Sequence, residues 1–372
     1  MPEAGSADAV SRGGPDPRGV PGVVFGSYPD SRVENSQPAG IGRVVALGRQ
    51  CAWNNLGRNV VFASRSFQPE AVFDQTSYPD DDELSQYDLD VHAILEIRGA
   101  AIVVVLNHLG LLRAFRAADL AGSGTVASLE PLWTSRFVDD VERTVAVGDR
   151  LVGSRPRREA AGGVIVSRPL TTDPGPDIDV DVGLEDWDVV TALATVSTPA
   201  GPRVAVGAVR RVGLFPVTSL DAPVWEVTVG FQPAALLWDG QLLWAAGSEP
   251  ADGVDDYDWE QLHGGGFAGL DPRDGRRVVE GRFDDLAWGT GGAAVVITPD
   301  LVCGIERTGA LALHSTRDGG LLARTTALAS HPLGIAHATA VDDHVLYGFN
   351  RAGYELCAVS TAALDQLARE HT

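Results

Sequence analysis

The sequence predicts an all-β fold, a seven-bladed β-propeller of four-stranded antiparallel meanders that is closed by an N-terminal strand. Short apolar segments rich in Val, Ala, Leu and Ile alternate with Gly, Asp and Pro turns, which is typical of strands. Similar segments recur at a nearly constant spacing, as in radial repeat folds. A spare strand also precedes the first repeat, whereas the last repeat lacks an outer strand.

The spacing of the repeats sets their number. The most similar segments are 107–115 and 350–358, and a further copy lies at 306–313. Five steps from Gly110 to Gly353 give about 49 residues per unit, which is close to the length of a propeller blade. Seven such units nearly fill the 372 residues. We place the units at 39–75, 87–121, 138–172, 186–222, 227–275, 283–325 and 328–364.

The two ends of the chain predict how the ring closes. A four-stranded meander cannot hide both of its apolar faces alone, so units pack face to face, and closing the ring removes exposed edges. The apolar segment 22–28 is expected to complete the last sheet. Residues 1–21 contain no apolar segment and are expected to be a flexible tail, which leaves 22–372 as a single domain. The stretch 362–369 predicts a short surface helix.

Composition excludes several classes of partner. The formal net charge is -21 and the sequence contains no lysine, so nucleic acid and anionic membranes are not expected partners. The longest apolar run, Ala100 to Leu106, is too short to span a bilayer. Cys51, Cys303 and Cys357 are widely separated and indicate neither a disulfide framework nor a zinc site. Because the N-terminus also lacks a secretory signal, we expect a cytoplasmic protein. We also expect it to be a monomer.

Two segments carry a resemblance to known propellers. Residues 269–278 and 313–322 resemble the LDxxDGxxL strand-turn-strand element of the quinoprotein-like (PQQ-like) propeller superfamily. The resemblance implies the fold and no reaction. Because the neighbouring cysteine pair of quinoprotein dehydrogenases is missing, it does not imply a quinone cofactor. WD40 propellers are the other similar group, although their Gly-His and Trp-Asp pairs are missing from the expected unit positions.

Catalytic motifs are scarce in this sequence. The string 289–294 (GTGGAA) matches a loose dinucleotide-binding fingerprint, but a strand stopped by Pro299 follows it instead of the required helix. We therefore interpret it as a turn. The sequence contains no GxSxG, HExxH or EF-hand pattern, and no cofactor is predicted other than a divalent metal ion.

Histidines and carboxylates near the starts of innermost strands are the candidate site residues, because those strands line the central channel of a propeller. As metal ligands the candidates are His92, His331 and His337. As general acids or bases the candidates are His92, Asp140, Asp188, Asp285 and His337. The structural alternative is that the acids cap turns and that each histidine is a satisfied hydrogen-bonding residue.

Two acidic insertions, 74–90 and 249–263, are candidate contact surfaces for a basic partner, since the second interleaves acids with Tyr257 and Trp259. The alternative is that they are solvated loops. The leading functional hypothesis is a binding or scaffold protein that uses its channel mouth and acidic loops to hold a ligand or a protein partner. The rivals are a small-molecule enzyme of the lactonase, lyase or isomerase type and a carrier of hydrophobic small molecules.

Overall fold

A computed structural model describes most of the predicted strand regions. The residues that it describes are 23–28, 41–47, 50–55, 59–64, 68–73, 89–97, 99–107, 111–120, 124–125, 131–136, 143–148, 150–156, 163–169, 180–183, 190–217, 219–249, 264–286, 288–289, 292–293, 295–298, 300–307, 310–325, 336–341, 344–350 and 354–370. The tail predicted at 1–21 lies outside them, and so does nearly all of the acidic insertion 74–90.

The strands of the first half of the chain form three sheets. Strand β1 is Val23–Tyr28. Sheet 1 contains β2 to β5, which are Ile41–Leu47, Gln50–Asn55, Asn59–Ser64 and Gln68–Phe73. Sheet 2 contains β6, β7, β8 and β10, which are Leu89–Ile97, Ala100–Asn107, Leu111–Arg116 and Trp133–Arg136. Sheet 3 contains β11 to β14, which are Arg143–Val147, Arg150–Pro156, Gly163–Pro169 and Val180–Gly183.

The second half continues the pattern. Sheet 4 contains β15 to β18, which are Val190–Thr198, Gly201–Ala208, Arg211–Pro216 and Trp225–Thr228. Sheet 5 contains β19 to β22, which are Gln232–Trp238, Leu243–Ser248, Gly265–Leu270 and Arg277–Phe283. Sheet 6 contains β25 to β28, which are Val295–Ile297, Leu301–Ile305, Leu311–Ser315 and Leu321–Arg324. Sheet 7 contains β29 to β31, which are Ala336–Val341, His344–Asn350 and Tyr354–Ser360, together with β1.

The predicted pairing of the N-terminal strand with the last sheet is confirmed. Strand β1 pairs antiparallel with β31, with Val23 opposite Val359 and Tyr28 opposite Tyr354. It is therefore the fourth strand of sheet 7. The predicted C-terminal helix is also confirmed, as α2 at Thr361–Glu370. No helix in the described ranges is long and apolar enough to cross a membrane.

The turn prediction for 289–294 is also confirmed. A two-stranded hairpin occupies this position, formed by β23 (Trp288–Gly289) and β24 (Gly292–Ala293), with Trp288 opposite Ala293. Strand β25 follows it without an intervening helix. A dinucleotide site of the βαβ type requires a helix N-terminus to hold the pyrophosphate, so this segment does not form one.

Four of the predicted units end before the fourth strand of their sheet. Units 138–172 and 186–222 stop ahead of β14 and β18, and units 87–121 and 227–275 stop early in the same way. Unit 87–121 omits β10, because a short helix α1 (Ala117–Leu120) and a two-residue strand β9 (Gly124–Thr125) intervene after β8. Strand β9 leaves sheet 2 and pairs parallel with β5 at the outer edge of sheet 1. Unit 227–275 stops ahead of β22, the fourth strand of sheet 5. A fixed period could not locate these strands, since the connections that precede outer strands differ in length.

Neighbouring sheets share apolar cores. Sheets 3 and 4 bury one cluster that includes Ile165 and Phe215, both 0% exposed. Sheets 4 and 5 bury a second around Trp225, and sheets 5 and 6 bury a third around Trp244 and Phe267. The first strands of the sheets also contact one another in succession, β2 with β6, β6 with β11, β11 with β15, β15 with β19, β19 with β25 and β25 with β29. Strand β29 in turn contacts β2.

The two segments that resemble the LDxxDGxxL element form the same turn. In sheet 5 the amide of Asp271 donates to the carbonyl of Arg276 at 2.9 Å, and in sheet 6 the amide of Ser315 donates to the carbonyl of Gly320 at 2.9 Å. Gly275 and Gly319 have φ values of +72° and +78°, a left-handed conformation that glycine adopts without strain. The resemblance therefore reflects a shared backbone geometry.

Each of these turns rests on the outer strand of the preceding sheet. The indole Nε1 of Trp225 in β18 donates to the carbonyl of Pro272 at 2.9 Å, and its ring lies against Gly275. A Cβ atom at Gly319 would lie 2.0 Å from the carbonyl oxygen of Glu280 in β22. The LDxxDGxxL element therefore connects neighbouring sheets in addition to reversing the direction of the chain.

The turn of sheet 5 also contains a buried carboxylate, Asp271. Its Oδ1 accepts from the amide and the Nε of Arg273, and its Oδ2 accepts from Nη2 at 2.6 Å. The side-chain hydrogen bond from Arg273 is the main cause that holds the pKa of Asp271 well below its usual range, and Arg276 adds a smaller attraction. The turn of sheet 6 has Ser315 at this position, so only sheet 5 depends on this ionised group.

We expect Asp271→Asn to destabilise the fold at neutral pH and to have a smaller effect in acid. Because the folded-state pKa is depressed, the carboxylate contributes fully above the ordinary aspartate pKa, and its contribution is lost as the pH falls through the folded-state value. Urea unfolding at about pH 7 and about pH 3 measures the difference between variant and wild type. Asp274→Asn, in the exposed part of the same turn, is the matched control. An effect of Asp271→Asn that grows in acid would contradict this assignment.

Candidate functional site

Polar side chains and ion pairs of sheets 3 to 6 lie along one edge of the sheets. In each meander the first strand begins, and the second and fourth strands end, at the same edge because successive strands are antiparallel. Neighbouring sheets keep these edges together: in sheet 4 the hydroxyl of Thr191, near the start of β15, donates to the carbonyl of Pro233, near the start of β19. We call this side of sheets 3 to 6 the loop face.

Polar side chains link the first strands at the loop face. The Nε of Arg143, the first residue of β11, donates to the carbonyl of Thr191 in β15 at 2.9 Å. Further along the same pair of strands, the hydroxyl of Thr195 donates to the carbonyl of Ala146. These bonds to backbone carbonyls hold sheets 3, 4 and 5 in register with one another.

Two of the candidate histidines lie near the starts of first strands, as the sequence predicted. His92 is in β6, at a register irregularity between Val91 and Ala93. His337 is the second residue of β29 and pairs with Gly348. Strands β6 and β29 both contact β2, so the two histidines belong to the sheets on either side of sheet 1.

The irregularity at His92 recurs in other sheets. The pairing of β15 shifts between Val190 and Ala192, which leaves Thr191 as the extra residue, and that of β19 shifts around Ala234. A β-bulge of this kind bends the strand and re-aims a side chain. In sheet 4 the bulged residue, Thr191, is buried and bonds to the next sheet, and His92 occupies the corresponding position in the register of sheet 2.

The other candidates are less informative. Asp140, Asp188 and His331 lie outside the described residues. Asp285 is described, and its Oδ1 accepts from the Nε of Arg307 at 2.7 Å. Among the side chains that the structure describes, no three histidine, cysteine or carboxylate groups come together in a way that could hold a metal ion.

A network of ion pairs spans sheets 5 and 6 at the loop face. Arg324, the last residue of β28, donates from Nε to Glu306 Oε1 at 2.7 Å and from Nη2 to Asp284 Oδ2 at 3.0 Å. Its two carboxylate partners raise the pKa of the guanidinium. We call the residues of this network the loop-face cluster, and they are Glu249, Arg282, Asp284, Asp285, Glu306, Arg307 and Arg324.

The second acidic insertion begins and ends beside this cluster. The amide of Glu249 donates to the carbonyl of Gly264 at 2.9 Å, which closes the base of the insertion 249–263. The Oε1 atom of Glu249 also accepts a hydrogen bond from Nη2 of Arg282 at 3.2 Å. Within the cluster four carboxylates face three guanidinium groups, and the insertion adds Asp252, Asp255, Asp256, Asp258 and Glu260. Residues 250–263 lie outside the described residues, but the cluster and the sequence of the insertion each carry a net negative charge.

The sequence pointed to Asp285 and the insertion but missed the arginines and Glu306. Arg324 is 40 residues from Asp284 and 18 from Glu306 along the chain. The sequence signal for Arg324, Asp284 and Glu306 is their position: each follows the last apolar residue of a strand that ends at the loop face. Without the strand order that position could not be recognised.

Comparisons with known proteins agree on the fold. The antiparallel four-stranded sheets define a propeller-like all-β protein. Among solved structures, a chain of the mitotic checkpoint complex is similar with a TM-score of 0.58 at 13% identity, over 90% of this chain and 95% of that one. The computationally designed Ika8 protein is similar with a TM-score of 0.50 at 12% identity, over 87% of this chain and 97% of that one.

These likenesses extend to the fold alone, because both identities are far below the level at which function is shared. No family model matches the sequence. No curated protein matches it either. The function therefore has to be argued from the site itself.

Proposed function

We propose that residues 22–372 form one closed ring of seven blades, one for each of sheets 1 to 7. The contacts of the first strands run from β2 through β29 and return to β2, which supports this arrangement. The pairing of β1 with β31 supports it as well, because it joins the two ends of the chain within one sheet. Closure of this kind leaves each sheet without an exposed apolar face.

We propose that this ring is a binding module for a basic segment of a protein partner and that the loop face of sheets 5 and 6 is its contact surface. The observation that carries the proposal is the closure of the acidic insertion directly beside the loop-face cluster. Acidic groups attract a basic partner, and Tyr257 and Trp259 provide the aromatic anchors that interfaces favour. The propeller-like fold suggests the same binding role.

The test uses a synthetic arginine-rich peptide and two charge-matched variants. The first replaces Asp255, Asp256 and Asp258 with asparagine, and the second replaces Asp80, Asp81 and Asp82 in the other acidic insertion. Both lose three negative charges, so a general attraction to a chain of net charge -21 would weaken equally in the two. Fluorescence anisotropy of the labelled peptide measures both affinities.

We expect the first variant to bind about tenfold more weakly than the second, because each lost charge at a contact surface costs affinity. Equal affinities for the two variants would overturn the proposal. A glutamate-rich peptide of the same length is the negative control, and it is expected to bind neither variant.

A second candidate function is favoured by one observation, the position of His92 and His337 near the starts of strands that flank β2. It is a small-molecule enzyme of the lactonase, lyase or isomerase type, with a metal ion or an acid-base pair held by these residues in the central funnel. Elemental analysis of the purified protein, followed by His92→Ala and His337→Ala, tests it. A metal-free protein whose stability and ligand binding are unchanged by both substitutions would exclude the enzyme hypothesis.

The variant His92→Thr separates the catalytic role from the structural one. Threonine occupies the equivalent bulge of β15 and bonds to the next sheet. If position 92 is a structural link, His92→Thr retains the stability that His92→Ala loses. If His92 is a ligand or a base, His92→Thr loses bound metal or turnover as completely as His92→Ala does.

A further inference from the structure

The junction between sheets 5 and 6 is built around a buried histidine. His314 in β27 is 5% exposed, and its ring meets two phenylalanine rings of sheet 5 edge-on. The ring centroids lie 5.2 Å from Phe267 and 4.9 Å from Phe283. Its Nδ1 lies 3.2 Å from the carbonyl oxygen of Gly319, the residue that rests on Glu280 of sheet 5. His314 therefore contacts both the apolar core of the junction and the turn that closes it.

Sheet 5 has a leucine in the equivalent place. Leu270 precedes Asp271 as His314 precedes Ser315, and both lie at the same irregularity in the pairing of the third and fourth strands. Leu270 is 0% exposed and belongs to the core between sheets 4 and 5. The two junctions thus share one backbone design, and only the one between sheets 5 and 6 contains a group that titrates near neutral pH.

The surroundings of His314 favour its neutral form. Burial is the main cause that lowers its pKa, and the hydrogen bond to Gly319 opposes it. The charged groups that act on it are Arg324 on β28, which lowers the pKa further, and Asp284 after β22, which raises it. The groups that face it from β21 and β22 are the two uncharged phenylalanine rings.

We propose that the junction between sheets 5 and 6 is a pH-sensitive switch that opens when His314 is protonated. In the closed junction a protonated His314 ring is enclosed by two phenylalanine rings and one carbonyl, so its charge is not hydrated. When the turn 315–320 moves away from β22, water can hydrate the charge, and protonation therefore favours opening. The opening itself does not require the binding function, whereas its effect on a partner rests on the proposed function.

The direction of the effect follows from proton linkage. In the open form His314 titrates near the ordinary histidine value of about 6.5, whereas the closed form takes up the proton only at lower pH. The open population therefore rises as the pH falls below that value and levels off below the closed-form value. One proton is taken up on opening, so the rise is at most about tenfold per pH unit.

Hydrogen exchange measured by mass spectrometry tests the switch without any peptide present. Between about pH 7.5 and about pH 5.5, after correction for intrinsic exchange rates, the amides of 277–283 and 315–325 are expected to lose protection by up to about tenfold in the wild type. The amides of the turn 271–276 serve as the internal control, and their protection is expected to stay constant.

Two variants complete the test. His314→Leu installs the residue of the equivalent position in sheet 5 and is expected to abolish the pH dependence, and His314→Gln gives the same readout if the leucine variant does not fold. Leu270→His is expected to transfer the pH dependence to the turn 271–276. A pH dependence that persists in His314→Leu or His314→Gln, or that is equal at both turns of the wild type, would overturn the proposal. The peptide-binding test is separate, so its failure leaves this result unaffected.

Discussion

Replacing Gly319 with alanine is expected to lower the free energy of unfolding by about 3 kcal/mol. Gly319 has a φ of +78°, where an alanine is strained by about 1–2 kcal/mol. Its new Cβ atom would also lie 2.0 Å from the carbonyl oxygen of Glu280, and backbone cannot move aside as a flexible side chain can. Relieving that overlap must push sheet 6 away from sheet 5, at a further cost of about 1–3 kcal/mol. Urea unfolding followed by tryptophan fluorescence measures the change.

Gly99→Ala is the matched control for Gly319→Ala. Gly99 has nearly the same φ, +76°, but a Cβ atom there would meet nothing within 4 Å. The control therefore isolates the dihedral strain, and we expect a loss of about 1 kcal/mol. Equal losses in the two variants would show that Gly319 does not hold the two sheets together.

Replacing Phe267 with alanine is expected to destabilise the protein by about 4 kcal/mol. Phe267 is 0% exposed, and its ring meets those of Phe283 and His314 at centroid distances of 5.3 Å and 5.2 Å. Its pairing partner is Gly281, where a Cβ atom would lie 2.1 Å from the Phe267 Cζ, so the ring fills the space above that glycine. Truncation leaves a cavity that rigid sheets cannot close.

The same urea titration compares Phe267→Ala with Val278→Ala. Val278 lies on the adjacent outer strand β22 and is 47% exposed, so its truncation is expected to change stability by less than about 0.5 kcal/mol. A loss in Phe267→Ala as small as that of Val278→Ala would contradict the placement of Phe267 in the core.

Local features of the fold could be predicted because each has a short-range cause. The segment Trp238-Asp239-Gly240 is typical of a tight turn, and the Asp239 carboxylate accepts hydrogen bonds from the amides of Gln241 and Leu242. Gly240 has a φ of +99°, as a turn of this kind requires. The turns at 271–276 and 315–320 were recognisable for the same reason, since aspartate and glycine recur at fixed offsets.

Features that depend on distant parts of the chain could not be predicted from the sequence alone. Strand β10 was missed because β9 crosses to sheet 1 before the chain returns to pair with β8. The partners of Arg324 follow from the packing of sheet 6 on sheet 5 and from no local pattern. His314 was not singled out either, because a histidine inside an apolar strand reveals its role only when the rings around it are known.

The prediction of site residues was limited in a related way. Placing His92 and His337 on first strands required only the strand texture, and the two residues are the fourth residue of β6 and the second residue of β29. Their chemistry depends on which groups converge from other sheets, and the roles proposed for them stay predictions. Among the described residues, a network of ion pairs lies instead between sheets 5 and 6, where strands end beside an insertion.

Disulfide trapping between β1 and β31 tests the closed ring most directly. Phe25 pairs with the native Cys357, and opposed residues of antiparallel strands have Cα atoms about 4.5–5.5 Å apart, within the range that a disulfide spans. We expect Phe25→Cys to form an intramolecular 25–357 disulfide under mild oxidation, mapped by mass spectrometry. Gly26→Cys, opposite Leu356, is the matched control and is expected to form none. Absence of the 25–357 bond in the first variant, or equal trapping in the two, would contradict closure of the ring by the N-terminal strand.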